Sequence, residues 1–182
     1  IGGSVKMSKS KKNVVDPIDI IEQFGADTAR WFVMSDSPPE RDVEWTSSGI
    51  EGAWKHLQRV WKLTMDIVNE IENMDDSKNN ALETNSLERA RNIAIQGVTD
   101  GIENFAFNKS IAKLYEYTNF LTKSRAPKTS KIAALKTMAI LMQPMTPHLA
   151  EEIWSILDTK GFILNEQWPL VDKKILTDQQ VK

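Results

Sequence analysis

The sequence predicts a mainly α fold: an antiparallel helical bundle preceded by a loop and short connecting helices. Three observations carry this reading. Apolar residues recur three and four positions apart along several long stretches, the clearest running from Ile50 to Ile71. Residues that start or stop helices (Asp, Thr, Pro and Gly) fall between those stretches. Residues 1–15 are basic, contain glycine and serine, and have no helical period, so they read as a loop.

Taken in order, Asp16-Pro17-Ile18-Asp19 reads as a helix start. Asp16 can cap, Pro17 suits the first helical position, and Asp19 favours the positive end of the helix dipole. Gly25 should stop this short helix, and Asp27 can cap a second one through Arg30, Trp31, Phe32 and Met34. Ser35 to Trp45 contains Pro38-Pro39 and several charges and is expected to be extended or turning. Ser48-Gly49-Ile50-Glu51 has the capping-box pattern. The stripe after it runs through Ile50, Trp54, Leu57, Trp61, Thr64, Val68 and Ile71 and predicts a helix to about Glu72. Trp54 and Trp61 lie on that stripe and are expected to be core anchors.

Residues 75–85 are polar and interrupt the pattern. A third long helix is predicted from Asn85 or Ser86, with Leu87, Ala90, Ala94, Val98, Ile102 and Phe105 on its face. Gly97 and Gly101 weaken that helix locally but allow a neighbour to pack closely. Phe107, Ile111, Leu114, Thr118 and Leu121 mark a further helix, ending before Ala126-Pro127. Ile132, Leu135, Ala139 and Met142 mark another, closed by Pro144. Thr146-Pro147 supplies a cap and a first-position proline for a helix through Leu149, Ile153 and Leu157, which Gly161 should end. The tail from Phe162 to Lys182, with Trp168-Pro169, is expected to hold a short strand or an irregular crossing. The divisions expected are 1–45 for the loop and connecting module, 46–160 for the bundle and 161–182 for the tail.

Composition narrows the function classes. The 182 residues are 41% hydrophobic and 26% charged, ordinary for a globular protein. A net charge of -2 gives no global field to attract nucleic acid, so any such contact needs a local basic patch. With no cysteine, disulfides, thiolate zinc sites and cysteine nucleophiles are excluded together. No apolar run has membrane-spanning length and no signal-peptide pattern opens the chain. The start at Ile1-Gly2-Gly3 reads as a piece cut from a longer chain.

The stretch richest in chemistry is Lys6-Met7-Ser8-Lys9-Ser10, followed at once by Lys11 and Lys12, with no acid before Asp16. A short cationic loop of this kind suits a polyphosphate. Lysine is a flexible point charge, and serine hydroxyls can hydrogen-bond phosphate oxygens. A solvated surface run is the plain alternative for Lys11 and Lys12.

Those five residues match the signature loop of class I aminoacyl-tRNA synthetases. Lys11-Lys12-Asn13-Val14-Val15-Asp16-Pro17 and Gly25-Ala26-Asp27-Thr28-Ala29-Arg30 resemble the segment that follows the loop in the subgroup for aliphatic amino acids. Ser37-Pro38-Pro39-Glu40, Glu44-Trp45 and Gly49-Ile50-Glu51-Gly52 resemble the leucyl-tRNA synthetase family in particular. Met145-Thr146-Pro147-His148-Leu149-Ala150-Glu151-Glu152 is similar to a motif of the helical anticodon-binding domain of the same enzymes. The resemblance covers about residues 3–170 and is weakest at 73–90 and in the tail. Sister families for valine, isoleucine and methionine share the loop, and a non-catalytic RNA-binding module that kept the loop is a further alternative.

The resemblance implies a two-step reaction. Leucine and ATP give leucyl-adenylate and pyrophosphate, and the leucyl group then passes to the 3′ end of tRNA-Leu. ATP is the implied substrate of the loop, with Mg2+ accompanying it and no metal ligand identified in this chain. Lys9 matches the loop's second lysine and is implied to be the catalytic cation, stabilising charge on the leaving pyrophosphate. Lys6, Met7, Ser8 and Ser10 are implied to complete the ATP contact. The His-Ile-Gly-His-type motif, an editing domain and a small C-terminal domain are absent from this sequence. The chain alone is therefore expected not to activate leucine. The resemblance further implies a cytoplasmic monomer that does not read the anticodon and meets tRNA at its elbow and core backbone, largely by shape and phosphate.

For that contact the candidates are Arg30, Lys55, Arg59 and Lys62. The last three follow four- and three-residue spacing and share one helix face, which could meet phosphates or simply be solvated. His56 and His148 are isolated, without partners at metal-ligand spacing, and are assigned structural roles. Glu151 and Glu152 suit the dipole early in their helix.

Overall fold

The computed structural model describes residues 5–70, 80–157 and 159–177, and the side chains of all of these except Lys9 and Asn80. After a 3-10 turn at Lys9–Lys11 within the predicted loop, the chain enters helix α1, Pro17–Phe24. Its start is as predicted: the Ile18 N–H donates to Asp16 Oδ1 at 2.9 Å, and Pro17 takes the first position. Gly25 ends it at φ 86°, a left-handed value that a side chain would strain, with its N–H on the Ile21 carbonyl. Helix α2, Ala26–Asp36, follows without pause. Asp27 does not cap it. Gly25 holds the cap position, which leaves the Asp27 carboxylate free to reach another helix.

Helix α3 spans Ser47–Val68, and its cap lies two residues before the predicted one. Thr46 has the extended backbone that a cap needs, and its hydroxyl accepts the Gly49 N–H at 3.1 Å. Ser48 is therefore inside the helix. The buried face is Ile50, Ala53, His56, Leu57, Val60, Leu63, Thr64 and Ile67. The predicted stripe sits at one flank of this face. Trp54 is 39% exposed and Trp61 is half-buried, so Trp54 is not a core anchor. Two residues per turn fall within an apolar arc, and here Ala53 and Val60 are buried inside it while Trp54 and Trp61 stand at its edge. The helix ends at Val68 with Asn69 as its C-cap, short of the predicted end at about Glu72. Ile71, Glu72 and residues 75–79 of the polar stretch lie outside the described residues.

Helix α4, Asn80–Glu103, starts earlier than predicted. Leu87, Ala94, Ile95 and Val98 are buried, but Phe105 lies beyond the helix end, at φ 54° and 65% exposed. Helix α5, Phe107–Lys123, returns antiparallel to α4 across a tight turn. The predicted close approach at the glycines is present. A Cβ on Gly101 would stand 2.1 Å from Ser110 Oγ, and one on Gly97 would stand 2.6 Å from the Lys113 side chain. The Ser110 hydroxyl uses that space to donate to the Val98 carbonyl at 3.0 Å.

Helices α6, Lys128–Met142, and α7, Pro147–Ile156, complete the bundle. Thr146 precedes α7 as predicted but does not cap it with its side chain, which turns back to the Met142 carbonyl at 3.3 Å. Helix α7 ends at Ile156, before Gly161, whose φ of 76° serves a later turn. The tail holds a 3-10 turn at Ile163–Asn165 and a short helix α8, Lys173–Thr177, with no strand among the described residues. Trp168 Nε1 donates to Thr99 Oγ1 at 2.8 Å, and the Asp172 N–H to Asn92 Oδ1 at 2.7 Å, which ties the tail to α4.

One apolar core runs through the helices, from Trp31 and Phe32 of α2, through Val60, Leu114 and Leu121, to Leu135, Met138 and Ile153. Each such side chain contributes about 1.5–3 kcal/mol by leaving water. Tyr117 is buried among them, and its hydroxyl donates to the Ala134 carbonyl at 3.1 Å. Burial pushes its pKa up, because a phenolate has no solvent there.

Candidate functional site

The loop is closed on itself by Asn13. The Ser8 N–H donates to Asn13 Oδ1 at 2.8 Å, and Asn13 Nδ2 donates to the Lys6 carbonyl at 3.3 Å. Within the ring the Ser8 and Ser10 hydroxyls share a hydrogen bond at 3.2 Å, and the Lys11 N–H reaches the Ser8 carbonyl at 3.1 Å. Lys12 takes a left-handed φ of 52°, which turns the chain back to bring Asn13 into place. Lys6, Met7, Ser10, Lys11 and Lys12 are exposed and Ser8 is half-buried. The ion pairs among the described residues involve none of Lys6, Lys11 and Lys12. Of Lys9 only the backbone, in the 3-10 turn, is described. Asn13, which holds the loop's shape, is a residue that the sequence reading did not single out. Its one sequence signal is that a short polar side chain stands where a loop must close.

The basic stripe on α3 is present as a face. Lys55, Arg59 and Lys62 are all exposed, and all three have neighbours. Lys55 pairs with Glu51 at 3.7 Å and Lys62 with Asp66 at 2.6 Å, each one helical turn away. Arg59 Nη2 donates to Asn119 Oδ1 at 2.6 Å and to Thr122 Oγ1 at 3.2 Å, both on α5. Exposed pairs of this kind are worth about 0–1 kcal/mol, so a phosphate can displace them.

Arg30 stands apart from that stripe. Its Nε donates to the Met145 carbonyl at 3.0 Å and its Nη2 to the Pro144 carbonyl at 2.7 Å, at the turn between α6 and α7. One turn earlier on α2, Asp27 accepts the Leu149 N–H at 2.7 Å and His148 Nδ1 at 2.9 Å. The α7 N-terminus is thus capped by a side chain from α2, a role no local pattern could reveal.

His56 lies in the core, 4% exposed, stacked on Trp31 with ring centroids 5.1 Å apart and tilted on Tyr115 at 3.9 Å. Trp31 Nε1 donates to the Tyr115 hydroxyl at 3.2 Å, while His56 Nε2 has no hydrogen-bond partner among the described residues. Burial, helped by the Arg59 guanidinium, lowers the His56 pKa from 6.5 to about 4, so the ring is neutral near pH 7. The structural role expected of this histidine fits that setting. Among the described residues no group of three His, Cys, Asp or Glu gathers to hold a metal, and no helix is long and apolar enough to cross a membrane.

A family model described as the anticodon-binding domain of tRNA ligase matches residues 85–182, more than half of the chain. The chain belongs to this tRNA-ligase family. A second model, class I tRNA synthetases for I, L, M and V, matches residues 2–46. The leucine–tRNA ligase of Dinoroseobacter shibae is 60% identical over 178 residues, covering 98% of this chain and 20% of the relative. That of Ruegeria pomeroyi is 53% identical over 178 residues, with the same coverage. Among solved structures, the Agrobacterium radiobacter LeuRS–tRNA–LeuAMS ternary complex superposes with a TM-score of 0.83 at 29% identity, covering 94% of this chain and 23% of that one. The kinship with leucyl-tRNA synthetases and the helical anticodon-binding fold expected from the sequence are both borne out. The chain spans about a fifth of the length of the curated relatives it matches.

Proposed function

We propose that this chain is the part of a leucine–tRNA ligase that supplies the ATP loop and the tRNA-binding bundle, divided at residues 1–45, 46–160 and 161–182. The observation that carries the proposal is the self-closed loop ahead of α1, in which Lys6, Lys11 and Lys12 are exposed and no acid stands, in a chain 60% identical to a leucine–tRNA ligase.

In the first step a leucine carboxylate oxygen attacks the α-phosphorus of ATP, and the bond to the β-phosphate oxygen breaks. Negative charge builds on the departing pyrophosphate. Lys9 meets that charge best when the bond is breaking, so its contribution is to rate more than to binding. Lys6 and the Ser8 and Ser10 hydroxyls hold the remaining phosphate oxygens. Any Mg2+ arrives on the ATP phosphates. In the second step a ribose hydroxyl at the tRNA 3′ end attacks the leucyl carbonyl and AMP leaves. The bundle holds the tRNA backbone through Lys55, Arg59 and Lys62. The full-length enzyme acts as a cytoplasmic monomer.

The test is Lys9→Ala in the full-length protein. Leucine-dependent ATP–pyrophosphate exchange should fall about 100-fold or more, the scale of losing one transition-state charge contact, with leucine affinity little changed. Wild-type exchange rates in that variant sink the assignment.

A further inference from the structure

We infer that Asp27 and Arg30 are positioning residues, which lock the loop-bearing helices to the bundle and so set where a bound tRNA stands relative to the loop. The inference rests on the reading above, that loop and bundle serve one tRNA ligase.

Three features of the geometry point to it. Asp27 and Arg30 are three residues apart on α2, hence on one face. They grip the two sides of a single turn: Asp27 the N–H groups that open α7, and Arg30 the carbonyls that follow α6. Each charge is matched to its end, the anion to the positive N-terminus and the cation to bare carbonyl oxygens, so the grip has a sense that cannot be reversed.

Otherwise α2 is attached to α5 by one side-chain hydrogen bond, Trp31 Nε1 to the Tyr115 hydroxyl at 3.2 Å, and to the core by the apolar surfaces of Trp31 and Phe32, and apolar contact is non-directional. It holds a helix at a depth without fixing its position along the axis. The hydrogen bonds across 114 and 122 residues of chain fix that position relative to the α6–α7 turn. Helix α1 has no fully buried residue and meets the core only through the partly buried Ile20 and Phe24, so the orientation of the loop before it depends in large part on α2.

A loosened clamp should leave the chemistry of adenylate formation alone, since that needs loop and nucleotide but no tRNA. It should harm transfer, which needs the tRNA 3′ end and the loop side of the protein in register, where a displacement of about 1 Å can cost about 100-fold.

The experiment uses the full-length protein and compares two half-reactions. Wild type must first show leucine-dependent pyrophosphate exchange and tRNA leucylation; failure here defeats the underlying reading and not the clamp. Asp27→Ala is then expected to keep exchange within about threefold of wild type while the kcat of leucylation falls about tenfold or more. Because the substitution removes a negative charge, a simple electrostatic effect on tRNA would strengthen binding, so lost transfer has the opposite sign. Arg30→Lys keeps the positive charge but lacks the planar two-pronged donor, and should also slow leucylation without raising the KM for tRNA. Equal losses in both half-reactions, or unchanged leucylation, overturn the inference. Should Asp27→Ala not fold, Asp27→Asn, which keeps the shape, must show the same split at smaller amplitude. No split in Asp27→Asn overturns the inference as well.

Discussion

Acid should loosen this fold through His56 well before its carboxylates titrate in bulk. The ring is enclosed by Trp31 and Tyr115, and its folded pKa of about 4 lies below the ordinary 6.5. The sign follows from linkage. The unfolded chain takes up a proton as pH falls through about 6.5, while the folded chain resists until about 4. The stabilisation is therefore complete above the unfolded value and is lost as pH falls towards the folded one. Across the full gap it amounts to about 3 kcal/mol, of which about 2 kcal/mol is lost between pH 7 and 5. The perturbation that isolates it is His56→Phe, which keeps an aromatic ring against Trp31 and Tyr115 and removes the titrating nitrogen. Urea unfolding of both proteins, followed by circular dichroism from about pH 7.5 to 5, reads the difference as a shift in midpoint. His148 is 77% exposed at its side chain and present in both proteins, so its contribution cancels. Wild type should lose about 2 kcal/mol more than the variant over that range. Equal slopes would refute the reasoning, because they would mean that burial does not hold the ring neutral.

Other outcomes can be checked by similar means. Replacing Lys55, Arg59 and Lys62 together with glutamine in the full-length protein should weaken tRNA binding and flatten its salt dependence by about 0.7–0.9 log unit for each phosphate no longer neutralised; a tRNA affinity that is unchanged at every salt concentration rejects the stripe. Gly101→Ala should destabilise by about 1–3 kcal/mol, since its Cβ meets Ser110 Oγ and backbone at 3.0 Å. Gly52→Ala, with nothing within 4 Å, should instead stabilise by about 0.5–1 kcal/mol; thermal melts of the pair should move in opposite directions. Thr46→Ala should cost about 1 kcal/mol by removing the cap on the Gly49 N–H, whereas Ser48→Ala should be near neutral, which a chemical denaturation midpoint resolves.

Local chemistry makes much of the molecule legible. The α1 start at Asp16-Pro17, its stop at Gly25 and the α4–α5 approach at Gly101 depend on residues within a turn or two of each other, and all three stand where the sequence puts them. The α3 face is legible to within one residue. Its true centre is not, because spacing ranks positions and ignores which of two adjacent apolar residues is buried: Ala53 and Val60 are, while their neighbours Trp54 and Trp61 stay partly exposed at the flank. The early start of α4 is hidden because polar residues such as Asn80 and Thr84 carry no apolar period, yet they continue a helix whose C-terminal half is held by packing.

The sequence by itself determined the helical class, the order of the helices and a cationic loop at their head, because each of these follows from periods and caps a few residues long. The tertiary structure alone decided how charged side chains are used. Asp27 reads as a local cap and serves a helix more than a hundred residues away. Arg30 reads as a tRNA contact and is engaged by two carbonyls of the α6–α7 turn. His56 reads as an isolated histidine and is held neutral by burial. A charge acts on whatever lies within a few ångströms of it, and folding, not sequence spacing, selects those neighbours.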